Sequence, residues 1–526
     1  MSDVVKKLKE EFPKADARIA ATMGQNITPL QKIQFLDQPS YSIFAKREDQ
    51  MPHAFSFKAR GGINGMQAAV ERNPNLKGVV TASAGNHAQG IAMAARQLGL
   101  AATIYMPETT PNAKITAVKR LGGDHASIEL YGASYTDAFE KASSYVETTG
   151  IPMIHPFDNI DVIAGQSTIA QEIIAQNTGQ KAFDYAFLQI GGGGMAAGVA
   201  MRLKDAYPKI KIIGVECVGQ NSMGLSIEAG RPITMNRVDT FCDGTAVKRP
   251  GDITFELCRD YIDDFITVTN NEVSAAVQTC HSLLRALPET SGAIGAAGIA
   301  KYLRETPHLL EGKNIVSVLS GANIDFNRLG VIAESAAVGA YKKQYIRVEL
   351  DEKKGGLLAL LDNHMLDINV TDFLYGKNNA KFAHPVIGLG ASPKRFLELE
   401  KSLTDAGIPF QNVTGDEDII ASNIPYSPKL VEKSDFYNIA FKETTGSLRN
   451  LLNSIQDIAD VSYFNYRYSG QSTGQALMGF NTTQQDELVK RLVNNSVSVQ
   501  KTSDRAVSHI KNITTQPTPN KQAKEL

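Results

Sequence analysis

Lys58 stands in the run Ser56-Phe57-Lys58-Ala59-Arg60-Gly61-Gly62, among apolar and small residues, with Glu48 and Asp49 upstream. A solvent-exposed lysine is one reading, and it is the ordinary one. The other is chemical. Apolar surroundings disfavour the ammonium form, and the resulting free amine attacks an aldehyde. A second run, Gly191-Gly192-Gly193-Gly194, lies between a strand pattern and a helix pattern. Four glycines let backbone N–H groups converge on an anion at a helix N-terminus, where the potential is positive. A phosphate is the natural guest. The loop by itself leaves three readings open. It can hold a phosphate cofactor, or form a dinucleotide fingerprint (Gly191-x-Gly193-x-x-Ala196, with Glu216 placed as the ribose acid), or serve as a structural turn.

Two further segments complete the set. Thr81-Ala82-Ser83-Ala84-Gly85-Asn86-His87-Ala88-Gln89-Gly90 runs from a strand end into a helix. Its small residues expose consecutive N–H groups suited to a carboxylate, and Asn86 adds a side-chain donor. Plain N-capping by Ser83 or Asn86 is the competing role. Ser320-Gly321-Ala322-Asn323 follows a strand pattern, at the carboxyl end where open α/β sheets bind ligands.

These segments need elements to hold them. Residues 78–82, 101–106, 183–190, 211–216 and 314–319 read as strands, and 87–98, 112–121 and 196–206 as helices. Alternation of this kind predicts an α/β region of parallel sheet with helices on both faces. Residues 331–345 read as a helical connection to a different pattern. There, strands at 346–350, 368–375 and 385–388 surround a helix, and the plan returns as 438–441, 461–468 and 476–479, with Glu443-Thr444-Thr445-Gly446-Ser447-Leu448 opening its helix. The interval of 91 residues from Gly355 to Gly446 also carries Leu357 onto Leu448, Leu360-Leu361 onto Leu451-Leu452, Phe373 onto Phe464, Tyr375 onto Tyr466 and Gly388 onto Gly479. So many matches in one register predict two copies of one α+β unit.

In order and spacing, the Ser56-Phe57-Lys58, Ser83-Ala84-Gly85-Asn86-His87, Gly191–Gly194 and Ser320–Asn323 runs resemble fold-type II pyridoxal phosphate (PLP) enzymes, tryptophan synthase β-like in architecture. Within that group they look most like the threonine ammonia-lyases. The resemblance covers about residues 20–330, and the repeats match that family's ACT-like regulatory domain. It implies deamination of L-threonine to 2-oxobutyrate, the first step of isoleucine biosynthesis. Lys58 would carry the cofactor and take the Cα proton. Gly191, Gly192, Gly193 and Gly194 would hold the cofactor phosphate. Asn86 would donate to the ring hydroxyl oxygen, Phe57 would pack near the ring and Ser320 would meet the pyridine nitrogen. Ser83, Ala84, Gly85 and His87 would surround the substrate carboxylate. The resemblance further implies a cytoplasmic homotetramer, with isoleucine as inhibitor and valine as its opponent, bound at Tyr375 and Tyr466. Core packing of both tyrosines is the alternative. Arg467, with Gly376 opposite it in the first copy, suggests a cationic contact in one half only.

Neighbouring activities fit less well. Serine racemases carry a second serine where Ala84 stands, and Ala84 has no proton to give. Their divalent site would need an acid soon after Glu216, and Cys217-Val218-Gly219-Gln220-Asn221-Ser222 offers none, so no required metal is expected. A serine/threonine dehydratase without isoleucine control keeps the chemistry but not the repeats. A nicotinamide oxidoreductase explains the glycines but not Lys58 or Ser320. A non-catalytic amino-acid sensor uses only the repeats.

Bulk properties agree. The chain has 526 residues, 43% hydrophobic and 21% charged, with net charge -1, which favours neither nucleic acid nor an anionic membrane as partner. The start lacks a signal-peptide core, and no apolar run approaches a membrane span. Four cysteines without C-x-x-C spacing and nine histidines without H-E-x-x-H predict neither a disulfide framework nor a zinc site. The expected layout is a catalytic region 1–335 with a smaller domain at about 55–155 inserted in the larger, regulatory subdomains 346–425 and 436–500, and a mobile tail 501–526.

Overall fold

A computed structural model describes residues 2–33, 40–179, 181–416, 424–442, 444, 446–467, 473–503 and 507. Glu443 and Thr445 in the second repeat, Tyr468 and nearly all of the tail lie outside the described residues. The chain divides into two compact units, Met1–Gly339 and Ala340–Leu526.

The first unit holds two sheets. The larger joins β1 (Leu30–Lys32), β2 (Ser42–Lys46), β6 (Tyr185–Gln189), β7 (Lys211–Cys217), β8 (Asp264–Val268) and β9 (Asn314–Val318), in the order β1-β2-β9-β6-β7-β8. All neighbours are parallel except the edge pair β1/β2. The smaller is β3 (Gly78–Ala82), β4 (Ala101–Met106) and β5 (Ala126–Leu130), also parallel. β3, β6 and β7 are buried almost throughout, as strands covered on both faces must be, which explains their unbroken apolar runs. The helix Asn86–Leu98 stops at a left-handed residue, Gly99 at φ +67°.

Most boundaries move by a few residues from the sequence reading, and two of the shifts change the picture. The helix expected from 196 begins at Gly194, with Gly193 as its N-cap at φ +93°, so the last two glycines of the run are helix start rather than loop. The helix expected over 331–345 spans Leu329–Gly339 only. At Gly339 a Cβ would lie 1.7 Å from the Asn271 carbonyl oxygen, and Tyr341 then takes φ +57°, which breaks helical continuation. Tyr345 belongs to a strand, β10 (Gln344–Val348).

The second unit is built on one eight-stranded antiparallel sheet. Its strands are β10, β12 (Asn369–Gly376), β14 (Val386–Gly390), β15 (Phe410–Asn412), β16 (Asp435–Lys442), β17 (Asp460–Arg467), β18 (Thr473–Asn481) and β19 (Ser498–Lys501), ordered β15-β10-β14-β12-β17-β18-β16-β19. The short β11 (Leu350–Asp351) and β13 (Phe382–Ala383) pair separately. The repeat is visible in this order. The 91-residue interval carries the helix Gly356–His364 onto Ser447–Ile455, and β12 onto β17. The copies meet at β12/β17, where Phe373 pairs with Tyr466 and Tyr375 with Phe464, a register symmetric about Leu374 and Asn465. Phe373 and Phe464 stack at 4.8 Å between ring centroids in the shared core.

Candidate active site

Lys58 opens the helix Lys58–Arg72, directly after a strained turn in which His53 and Phe55 take φ +63° and +48°. This turn is zipped to the loop after β9. Phe57 N donates to Ser320 O at 3.0 Å, Ala322 N to Phe55 O at 2.9 Å, and Asn323 Nδ2 to Ala54 O at 2.8 Å. Lys58 and Ser320, distant in sequence, are thereby held on one wall. The Lys58 amine donates to the Pro156 carbonyl at 2.9 Å and stands 5.2 Å from the Phe57 ring centroid. Burial lowers its pKa to about 8, against a pull upward from Glu289.

The lysine helix is anchored from behind. Arg60, fully buried, donates to Glu48 at 2.8 and 2.9 Å and to Glu172 at 2.9 Å through both arms, and Lys46 reaches the same Glu172 at 2.5 Å. Burial raises the Glu172 carboxyl, but Arg60 and Lys46 outweigh that and bring it to about 2. Charges this deep are tolerated only when paired and hydrogen-bonded, so the cluster fixes where the helix starts.

The glycine run forms a bare cradle. A Cβ on Gly191 would lie 2.8 Å from Thr245 Cα, and on Gly194 2.8 Å from the Phe157 carbonyl oxygen. Among the described residues, none accepts a hydrogen bond from the amides of Gly192, Gly193 or Gly194. Thr254 Oγ1 donates to the Gly192 carbonyl at 2.6 Å and so fixes this peptide of the cradle. Opposite, Ser83, Ala84 and Gly85 lead into the helix Asn86–Leu98, whose N-cap Gly85 supplies no side-chain cap. His87 is buried and neutral, its pKa lowered to about 3 by burial and by Lys58. Its Nε2 faces the Ile154 carbonyl at 3.0 Å, and its Nδ1 has no partner among the described residues.

Lys58, Phe57, Ser83, Ala84, Gly85, Asn86, His87, Gly191–Gly194 and Ser320 all line one cavity of about 310 Å³, within the range of small-molecule sites. Asn86 Nδ2 donates to Glu289 at 2.6 Å, and Asn86 Oδ1 accepts from Asn323 Nδ2 at 2.7 Å. Glu216, the acid of the dinucleotide reading, is spent on the amides of Met223 and Gly224 at 2.9 and 2.8 Å. Sequence reasoning missed Glu289, Thr245, Ser291, Pro156 and Phe157 as wall residues. Only Glu289 left a signal, an acid directly before the small residues Thr290-Ser291-Gly292 at a helix start.

A phosphate-bearing aldehyde cofactor fits these residues: a half-buried amine of lowered pKa for the aldehyde, a Cβ-free cradle of unspent amides for the phosphate, and hydroxyl and amide groups for the ring.

The second unit brings Tyr375 and Tyr466 to two equivalent recesses rather than to one. Tyr375, Glu352 and Gly355 from the first copy meet Leu452, Ile455 and Asp460 from the second. Tyr466, Thr444 and Gly446 from the second meet Leu361, Met365 and Asn369 from the first. Both rings also belong to the core, 2% and 1% exposed, so the packing and lining roles coexist. Tyr375 donates to Glu352 at 2.7 Å. Among the described residues, the cation lining the Tyr466 recess is Arg449; exposed Arg467, the cation expected from the sequence, does not line it.

Comparison with known proteins agrees in both units. Residues 21–321 match the pyridoxal-phosphate dependent enzyme family, and 429–509 the C-terminal regulatory domain of threonine dehydratase. The chain is 37% identical over 469 residues to the biosynthetic L-threonine dehydratase of Haemophilus influenzae, covering 88% of both chains. It is 36% identical over 482 residues to that of Escherichia coli, covering 89% of this chain and 90% of the relative. Among solved structures, the processed threonine deaminase isoform 2 of Solanum lycopersicum shares 41% identity with a TM-score of 0.56, covering 62% of this chain and 94% of that one. Maize serine racemase shares 31% with a TM-score of 0.56, covering 62% and 96%.

Proposed function

Because the chain belongs to the pyridoxal-phosphate-dependent threonine dehydratases, we propose that the cavity around Lys58 is where L-threonine becomes 2-oxobutyrate and ammonia. The observation that carries this reading is a half-buried lysine whose amine desolvation brings down to about 8, sharing one cavity with a glycine cradle of unspent amides. When bound, PLP supplies an aldehyde and an electron-accepting ring. The protein does the rest. The amides of Gly191, Gly192, Gly193 and Gly194 bind the phosphate, helped by the helix N-terminus. Asn86 donates to the ring oxygen. Ser320, which lines the cavity, would offer the ring nitrogen a hydroxyl, which would not force a positive charge there as a carboxylate would. Phe57 packs against the ring. Ser83, Ala84, Gly85 and His87 surround the substrate carboxylate. Lys58 takes the Cα proton; water leaves from Cβ and is returned in hydrolysis, so one threonine gives one 2-oxobutyrate and one ammonia. Ala84 cannot protonate the opposite face, which separates this site from racemases.

The second unit is the regulator. Isoleucine bound at Tyr375 and Tyr466 inhibits, and valine opposes it; the two related recesses support this by giving each tyrosine a wall from the other copy. A ligand shifts activity only if it binds one global state better than the other. The catalytic region is 1–335, the subdomains are 346–425 and 436–500, and the enzyme works as a cytoplasmic homotetramer. Among the described residues no helix is long and apolar enough to cross a membrane.

The test is oxo-acid formation from L-threonine by PLP-loaded protein, with and without isoleucine. Activity suppressed by isoleucine is expected. Activity indifferent to isoleucine removes the regulatory reading, and absence of oxo acid removes the catalytic one.

A further inference from the structure

Glu289 occupies the N-cap of the 16-residue helix Thr290–Glu305, a position where Ser, Thr, Asp or Asn ordinarily takes up first-turn amides. Its carboxyl makes no such cap. The side chain turns into the catalytic cavity instead, 6% exposed, and accepts the 2.6 Å hydrogen bond from Asn86 Nδ2. Its backbone is fastened to the Ser320 loop, since Glu289 N donates to Gly321 O at 3.0 Å. The fit is tight: a Cβ on Gly321 would lie 2.3 Å from Glu289 Oε1. A relay Asn323→Asn86→Glu289 thus links the 320–323 loop, the start of the helix Asn86–Leu98 and the N-cap of the helix Thr290–Glu305.

We propose that Glu289 is a positioning residue of this cavity, its carboxylate fixing the Asn86 amide with Nδ2 inward and supplying the negative charge that faces Lys58. This rests on the reading of Lys58 and Asn86 as cofactor residues. An ionised carboxylate only accepts hydrogen bonds, so it selects the NH₂ end of Asn86. One Nδ2 hydrogen goes to Glu289 and the second is left for the cavity, while Oδ1 is held by Asn323. A glutamine at 289 both donates and accepts. It allows Asn86 to turn over and present an oxygen to an anionic ring oxygen, a repulsive contact.

The charged groups around Glu289 are few. Lys58 faces it from the helix Lys58–Arg72. Asp243 faces it from the turn Asp243–Thr245, and Lys114 from the helix Asn112–Gly122, these two paired with each other at 2.5 Å. His87, on the same helix as Asn86, is neutral. The loop 320–323 carries no titratable side chain. Burial and Asp243 push the Glu289 carboxyl up to about 7, with Asn86 and the two lysines opposing. Each group favours the charged form of the other, Glu289 drawing Lys58 up and Lys58 drawing Glu289 down.

The test uses holoenzyme with Glu289→Gln, following the visible absorbance of the bound cofactor against pH together with kcat and KM. The expected result is a transition displaced to lower pH by roughly one unit, because the cation loses its counter-charge, and a kcat reduced ten-fold or more with KM for threonine little changed. A wild-type titration and kcat overturn the proposal. Lys58→Ala is run in parallel. If it keeps the wild-type absorbance the underlying cofactor reading fails; if it loses that absorbance while Glu289→Gln is unaltered, only the role of Glu289 fails. Should Glu289→Gln not fold, Glu289→Asp decides, since it keeps the charge but retracts the acceptor. A near-native titration with a lowered kcat supports the proposal, and a native kcat or a displaced titration overturns it.

Discussion

The ring of Phe157 lies against Gly192 so closely that a Cβ on the glycine would sit 2.3 Å from Phe157 Cγ. Real Cβ atoms do not approach so near, so Gly192→Ala must displace either the ring or the cradle. We expect this variant to lose PLP affinity at least ten-fold while remaining folded. Gly192→Ala with Phe157→Ala should recover part of it, because the second change removes the obstructing ring. Cofactor retention after dialysis, read by absorbance, checks both. Equal retention by wild type and Gly192→Ala would show that the loop does not hold the phosphate.

Capture of the cofactor should follow the ionisation of Lys58. Burial disfavours its ammonium, so the reactive amine dominates above about pH 8. The rate at which apoprotein joins PLP should rise with pH and level off from there. A rate still climbing steeply toward pH ~10.4, the value of an ordinary lysine, would place Lys58 in water.

Acid should act through the cluster behind Lys58. Glu172 has a folded-state pKa of about 2 against an ordinary 4.5. A depressed carboxylate contributes stability above its unfolded value and loses it as pH falls from there through the folded one, here from 4.5 toward 2. Glu172→Gln should cost about 3–5 kcal/mol at neutral pH, since Arg60 and Lys46 stay buried with one partner fewer. It should also flatten the acid dependence. Denaturant unfolding of wild type and variant across that window measures both, and identical slopes would remove Glu172 from the account.

The recesses at Tyr375 and Tyr466 are best probed without opening the core. Tyr375→Phe keeps the ring and removes the hydroxyl bound to Glu352; Tyr466→Phe makes the matching change in the other copy. Each should raise the isoleucine concentration for half-inhibition several-fold, measured against each variant's own uninhibited rate, and the double variant more than either. Inhibition curves superimposable on wild type for all three would leave the tyrosines with a packing role alone.

Much of this protein was readable from residue order. Strands 78–82 and 101–106 come out where their short β-branched and apolar runs place them, because a strand in a covered parallel sheet is largely buried: 78–82 is buried throughout and 104–106 likewise. The repeat was legible because two copies of one unit need the same glycines and the same core aromatics at the same interval. The runs around Lys58, Asn86, Gly191–Gly194 and Ser320 announced themselves because each is a local device, a turn or helix start whose chemistry depends on adjacent residues. What residue order left open was every relation between distant segments. The glycine run permitted three roles, phosphate cradle, dinucleotide fingerprint or structural turn, until folding spent Glu216 on a helix start and set Lys58 in the same cavity. Phe157 and Glu289 had no pattern of their own, because a wall is made by whichever residues packing brings to it. The lowered pKa of Lys58 likewise comes from burial, a property of the assembled unit rather than of the seven residues around the lysine.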